Sequence, residues 1–234
     1  GTCNITGGTI SSPIVMTAGT CNITGGDIKN IWNTSESGDT TGAVIVKGGT
    51  CNIGGTAQIT ENRIDNGGAV SVLGGNCTIS GNTIHNNTTK SGGVYVAGGT
   101  CTIENDAVIS ENTATNTGAG VHIDGGTCDI YGTITDNTAR YTSNGHGGGV
   151  SISAGECDIY GTITKNTATV NGGGVYAAGG TCNIYGAVTE NTAVNGGGVY
   201  VAPGAQVNTK NGGSSGLSRI TKNTASANGG GVYL

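Results

Sequence analysis

The chain has 234 residues, with 9 basic and 14 acidic side chains and a net charge of −5. It has no basic stripe, so we expect no nucleic-acid partner. No apolar stretch approaches the length of a transmembrane helix, so we expect no membrane insertion. Glycine supplies 48 residues, while phenylalanine is absent and tryptophan occurs once, a composition that does not fit a conventional globular core.

A Cys-x-Ile phrase, usually preceded by Gly-Thr, recurs along the whole chain. The gaps between successive cysteines run from 18 to 30 residues. A fixed strand-like phrase with elastic gaps of this size indicates a solenoid. The eight cysteines are Cys3, Cys21, Cys51, Cys77, Cys101, Cys128, Cys157 and Cys182.

A second phrase, Ile-x-x-Asn, follows most of the cysteine phrases. An asparagine in such a turn can bond to the backbone and to its equivalents above and below, which predicts an internal ladder. A ligand-binding asparagine column is the alternative. The asparagines are Asn62, Asn87, Asn112, Asn137, Asn166, Asn191 and Asn223.

A third phrase, Gly-Gly followed by alternating apolar residues such as Val94–Val96, closes each repeat. Side chains alternate along a strand, so the Cys and Ile of the first phrase face inward. The prediction is an all-β, right-handed single-stranded parallel β-helix (a β-solenoid) with three short strands per coil and about nine coils. We predict one domain over residues 1–234, with an atypical first coil at 1–20 and an atypical last coil with an insertion at 205–234.

These phrases resemble the right-handed parallel β-helix repeats of adhesin-like bacterial surface proteins and of polymorphic outer-membrane passenger domains. The resemblance rests on Gly179–Ile184 (GGTCNI), Ile109–Ala114 (ISENTA) and Gly196–Val201 (GGGVYV), and it extends over nearly the whole chain. Cysteine stands here where an aromatic residue is common. The resemblance implies an extracellular, bacterial cell-surface location, but the group includes adhesins, passengers and polysaccharide-active enzymes.

The cysteine column allows three interpretations. In-register neighbours on parallel strands have Cβ atoms about 4.8 Å apart, just beyond the usual disulfide range. We therefore favour free thiols that act as small buried hydrophobes. Disulfides between adjacent coils, such as Cys3–Cys21 or Cys157–Cys182, are the first alternative, and a metal or redox column is the second.

Outward columns hold the candidate binding residues. Tyr131, Tyr160 and Tyr185 form one predicted aromatic column, and Tyr176, Tyr200 and Tyr233 form another. Exposed aromatics can hold sugar rings, but we favour a stabilising role.

Carboxylates are scattered along the chain. Stacked Asp129 and Asp158 could hold Ca²⁺ weakly, although a solvated polar face is the simpler interpretation. We find no catalytic grouping and expect no cofactor.

The sequence thus predicts a non-enzymatic structural or adhesin-like rod. Its predicted partners are its own copies, stacked end to end into a filament, or host or bacterial surface glycans and proteins. The chain begins at a Gly-Thr-Cys phrase and ends where the next such phrase would be expected, so a slice of a longer surface rod is a competing explanation. A carbohydrate-binding or polysaccharide-lyase-like module is the alternative function. An ice-binding Thr-x-Asn face on the cysteine strands is a third.

Overall fold

The computed structural model describes residues 1–33, 39–81, 83–212, 216–217 and 219–234. Within these ranges the chain is all-β and contains no helix. Its strands form three large parallel sheets in which each strand pairs with its counterparts in neighbouring repeats. The molecule is therefore a parallel β-solenoid, as the recurring phrases predict.

Each repeat contributes up to four strands, which we name by their typical residues. The cysteine strands are Thr2–Ile10, Thr20–Lys29, Thr50–Ile53, Asn76–Ile79, Thr100–Ile103, Thr127–Ile130, Glu156–Ile159, Thr181–Ile184 and Gln206–Thr209. The isoleucine strands are Gln58–Thr60, Ile84–His85, Val108–Ser110, Thr133–Thr135, Thr162–Thr164, Ala187–Thr189 and Arg219–Thr221. The threonine strands are Trp32–Asn33, Arg63–Ile64, Thr88–Thr89, Thr113–Ala114, Thr138–Ala139, Thr167–Ala168, Thr192–Asn195 and Thr224–Asn228. The valine strands are Ile14–Met16, Val44–Val46, Val70–Val72, Val94–Val96, Val121–Ile123, Val150–Ile152, Val175–Ala177, Val199–Val201 and Val232–Tyr233.

The prediction of three strands per coil is wrong for the regular repeats, which have four. The Ile-x-x-Asn phrase forms two strands instead of one, because the residue before the asparagine adopts a left-handed conformation that ends the isoleucine strand. In the repeat that begins at Thr50 this residue is Glu61, with φ 55°.

Seven repeats, starting with Thr50–Ile53, carry all four strands. In the first two repeats one long strand, Thr2–Ile10 or Thr20–Lys29, runs through both the cysteine and the isoleucine positions. The predicted count of nine full coils is therefore not confirmed, and about seven regular turns are present among the described residues.

The core lies between the three sheets. Cysteines pair in register with cysteines, as in Cys101↔Cys128, and isoleucines with isoleucines, as in Ile103↔Ile130. The inward residues of the isoleucine and valine strands, such as Ile109 and Val121, complete the same buried cluster. Residues of the same type thus stack on one another, and their side chains fill the thin core without phenylalanine.

The two ends of the chain depart from this regularity. Cys3 is exposed although the other seven cysteines are buried, because its strand lies at the edge of its sheet and pairs only with Thr20–Lys29. In the predicted insertion, Asn211–Gly212 pairs antiparallel with Gly216–Leu217. Residues 213–215 between them lie outside the described residues.

Among the residues that the structure describes, no helix has the length and hydrophobicity that a membrane span needs.

Candidate functional site

The asparagine column, formed by the seven asparagines of the Ile-x-x-Asn phrases, lies at the corner between the isoleucine and threonine strands. Each of the first six donates from its backbone N and from Nδ2 to Oδ1 of the next, at 2.9–3.1 Å. Each Nδ2 also donates to a carbonyl of the preceding repeat, such as Ile109 O for Asn137 at 3.0 Å. The column is buried from Asn62 to Asn191, where its polar groups have no access to water. The hydrogen bonds of the column satisfy these groups instead.

The sequence interpretation missed the residue before each of these asparagines. Glu61, Asn86, Glu111, Asp136, Lys165, Glu190 and Lys222 all have φ between 54° and 59°. This left-handed region is costly for residues other than glycine, and such strain persists only where the surrounding structure holds it. The signal was present in the sequence, because no β-branched residue occurs at this position.

The cysteine column faces the core. All eight thiols are free in this structure. Burial raises the pKa of Cys21 to about 11, and a hydrogen bond with Cys77 together with burial raises the pKa of Cys51 further. Thiols in such surroundings are poor nucleophiles, since the thiolate is the reactive form.

The first tyrosine column is a flat stack. Tyr131 and Tyr160 have ring centroids 4.7 Å apart and an interplanar angle of 5°. Tyr160 and Tyr185 are 4.6 Å apart at 10°. Lys210 Nζ lies 5.3 Å above the Tyr185 ring. The rings cover one another's faces and present mainly their edges to solvent, an arrangement that stabilises the stack and leaves little face for a sugar.

The second column, on the valine strands, is less regular. Tyr176, Tyr200 and Tyr233 follow one another at 5.4–5.5 Å with tilts of 30–32°. Ser151 occupies the next position below Tyr176 in register. The ring of His146, from the long connection at residues 140–149, stacks on Tyr176 at 4.4 Å instead. The sequence analysis did not predict this contact, which joins a connection to a strand.

The acidic pair Asp129 and Asp158 is in register on the cysteine strands, and Asp158 is already hydrogen-bonded. Asp158 Oδ1 accepts from Asn183 Nδ2 at 2.7 Å, and its Oδ2 accepts from the Tyr160 hydroxyl at 3.1 Å. Burial, then Asp158, then Glu156 raise the pKa of Asp129. No group of three or more His, Cys, Asp or Glu side chains in the described part of the chain is arranged to hold a metal ion.

A polar cleft of about 180 Å³ lies on the turn between the threonine and valine strands. We call this turn the variable turn, because its length changes from repeat to repeat. It has five residues at 65–69, four at 90–93, six at 115–120 and ten at 140–149. The short connection at 90–93 is recessed between longer neighbours. The cleft is lined by Thr40, Asn66, Gly67, Lys90, Ser91, Tyr95, Asn116, His122 and Asp124.

Two ionisable groups in the cleft have shifted pKa values. Burial lowers the pKa of His122 to about 4, so the imidazole is neutral near pH 7. Its nitrogens lie 2.9 Å from Thr117 Oγ1 and 3.2 Å from Ser153 Oγ. Burial, and then the carboxylate of Asp124, raise the pKa of Tyr95 to about 12. The Tyr95 hydroxyl stays protonated and donates to Asp124 Oδ2 at 3.2 Å.

A family model for the Chlamydia polymorphic membrane protein repeat matches residues 161–178. This segment runs from the isoleucine strand Thr162–Thr164 to the valine strand Val175–Ala177 and contains Asn166 and Tyr176. No curated protein and no solved structure matches the chain. The repeat match and the parallel β-solenoid together fit a bacterial surface β-helix repeat protein.

Proposed function

We propose that the chain is a rigid, non-enzymatic rod segment of a bacterial surface protein, with a structural or adhesin-like role. The observation that carries this proposal is the match of residues 161–178 to a polymorphic membrane protein repeat within a continuous parallel solenoid. Stacked repeats hold their outward side chains at fixed spacing, and an extended rigid surface is what such proteins use for binding.

The two internal columns supply the rigidity in this proposal. The asparagine column satisfies buried backbone groups at one corner, and the cysteine column fills the core with small side chains of equal size. The flat stack of Tyr131, Tyr160 and Tyr185 supports the same role on the outside. We also propose that the solenoid winds right-handed, as parallel crossovers do, and that the two N-terminal repeats count as coils, giving nine valine strands for nine coils.

The arrangement of the outward side chains gives little support to the alternative functions. A polysaccharide lyase needs free clustered carboxylates, whereas Asp158 is bonded to Asn183 and Tyr160. An ice-binding face needs free outward groups, whereas the amides of Asn22 and Asn52 donate along their own column at 2.8 Å.

The surface role is tested by labelling intact cells of the native bacterium with antibodies raised against the purified chain. Labelling without permeabilisation is the expected result. Labelling only after permeabilisation would contradict the proposed location.

Stacking of copies into a filament stays a separate proposal. Sedimentation velocity on the purified chain tests it, since concentration-dependent growth supports stacking and a single slow species at all concentrations opposes it.

A further inference from the structure

The cleft on the variable turn has the size of a site for one small ring. Its volume of about 180 Å³ lies below the roughly 300–1,000 Å³ of sites for drug-sized ligands. It is bounded below by the turn at 65–69 and above by the turn at 115–120, and its floor is the short connection at 90–93. A single sugar unit at the end of a chain fits such an enclosure better than a long polymer does.

One wall of the cleft is aromatic. Tyr95 and His122 pack edge to face, with centroids 5.5 Å apart and an interplanar angle of 76°. The Tyr95 ring stays partly exposed in this pair, whereas His122 is buried. The neighbour of Tyr95 on the other side is Ser71, which is too small to cover a ring. The C–H face of a sugar ring packs against aromatic surface of this kind.

The remaining walls carry hydrogen-bonding groups of both kinds. Asn116 and Ser91 provide an amide and a hydroxyl suited to sugar hydroxyls. Asp124 is a further acceptor, and the Tyr95 hydroxyl orients its carboxylate. Because burial keeps His122 neutral near pH 7, the aromatic wall adds no charge of its own.

Lys90 is the one cation among the residues that line this cleft at neutral pH. Its Nζ donates to Asn66 Oδ1 at 3.0 Å, which fixes the ammonium at the rim. Hydrogen bonds between an ammonium and a carboxylate are stronger than neutral ones. The net charge of −5 and the Asp124 carboxylate in the same cleft both disfavour an acidic sugar. Binding of an acidic sugar would therefore depend on this lysine.

We propose that the cleft binds one acidic sugar ring, a uronic acid unit at the end of a glycan, with its ring against Tyr95 and its carboxylate on Lys90. This inference rests on the proposed adhesin-like role for its biological setting and adds the class of ligand. For a single ring we expect weak binding, with a dissociation constant of about 1 mM.

The test is a ligand-observed NMR titration of the full chain with methyl glucuronide, with methyl glucoside as the neutral match. We expect saturable binding of the glucuronide. Lys90→Gln should lower the affinity at least about fivefold. Lys165→Gln, which changes an exposed lysine at the asparagine corner, should leave the affinity unchanged. Asn116→Ala is a second cleft variant and should also weaken binding.

Three results would overturn the proposal: no saturable binding of the glucuronide, equal affinity for the glucoside, or an equal loss in Lys90→Gln and Lys165→Gln. Cell labelling reads out location independently of sugar binding. A surface-labelled chain that does not bind glucuronide would thus refute the ligand and leave the surface role standing.

Discussion

The two corners on either side of the threonine strands follow opposite rules. At the asparagine corner, before each threonine strand, the asparagines recur every 25 residues through Asn62, Asn87, Asn112 and Asn137, and each is bonded to the next. At the variable turn, after each threonine strand, three to ten residues connect the same two sheets. Two of the three buried side-chain atoms that lack a hydrogen-bond partner in the described residues, His146 Nδ1 and Ser151 Oγ, lie at or beside this turn.

The difference shows how a repeat protein can be both regular and locally distinct. The hydrogen-bonded asparagine corner of the seven regular repeats fixes the register, so changes in the length of the variable turn do not shift the stacking of the strands. The short connection at 90–93 lies between longer ones at 65–69 and 115–120, and the surface there is concave. The cleft over residues 90–93 is the result.

The largest effect that separates the corners comes from Asn137→Ala. It removes the acceptor for Asn112 N and the donor to Ile109 O, both buried. Leaving several buried groups unpaired should lower the free energy of unfolding by about 3–5 kcal/mol. Urea denaturation of both forms measures the loss.

The matched control is Asn116→Ala, in the variable turn. We expect a change within about 0.5 kcal/mol, because the side chain is only partly buried and its backbone bond to Lys90 O is kept. Equal losses in the two variants would show that the corners do not differ.

The second effect is a pH dependence that originates at the variable turn. The folded pKa of His122 is about 4, against an ordinary value of 6.5, because the ring is buried. As pH falls below 6.5 the unfolded state takes up a proton that the folded state does not, so stability should fall until about pH 4, by up to about 3 kcal/mol. Tyr95, Asp124, Thr117 and Ser153 are the groups in contact with this ring.

His122→Gln should flatten this decline, measured as urea midpoints between neutral pH and about pH 4.5. Some decline will remain, because burial also lowers the pKa of His146. Asn116→Ala, which removes no titratable group, serves as the control and should keep the wild-type slope. A decline as steep in His122→Gln as in the wild type would remove His122 as its source.

The third effect concerns the flat tyrosine stack. Tyr160 contacts Tyr131 and Tyr185 at once, so Tyr160→Ala breaks two ring pairs. We expect a loss of about 2 kcal/mol, from stacking and from the buried ring surface. Tyr141→Ala, on the long connection at 140–149, removes a ring that is 54% exposed and should cost little. Thermal denaturation ranks the two, and a larger loss for Tyr141→Ala would contradict the stabilising role.

The smallest expected effect tests the backbone conformation at the asparagine corner. Glu111 has φ 55°, a conformation that β-branched residues strongly disfavour. Glu111→Val should cost about 1–2 kcal/mol, while Glu111→Gly should cost nothing or stabilise slightly. Urea midpoints for the pair test the conformation directly, since equal midpoints would mean that the left-handed backbone contributes no strain.

The solenoid could be predicted from the sequence because its signal is repeated many times. Alternation within Cys-x-Ile and within Val-x-Val gave the inward faces of residues such as Cys101 and Val121, which are buried. Four strands per coil could not be read the same way, because the break at Glu61 is a backbone conformation and interrupts no hydrophobic pattern.

The cleft was harder to foresee, since it results from differences between repeats. The pairing of His122 with Tyr95 could be read from the aligned Gly-Gly phrases. The recess above residues 90–93 could not, because it depends on where the neighbouring strands end. The stacking of His146 on Tyr176 joins a loop residue to a strand, and no period in the sequence indicates it.

The different roles of the two corners, register at the asparagine corner and sugar binding at the variable turn, are tested most directly by backbone amide NMR spectra of the full chain during titration with methyl glucuronide. The account predicts saturable shifts confined to the cleft, around Ser91, Tyr95 and Asp124, with the amides of the asparagine column unchanged. Shifts spread along the asparagine column, or no saturable shift in the cleft, would contradict it.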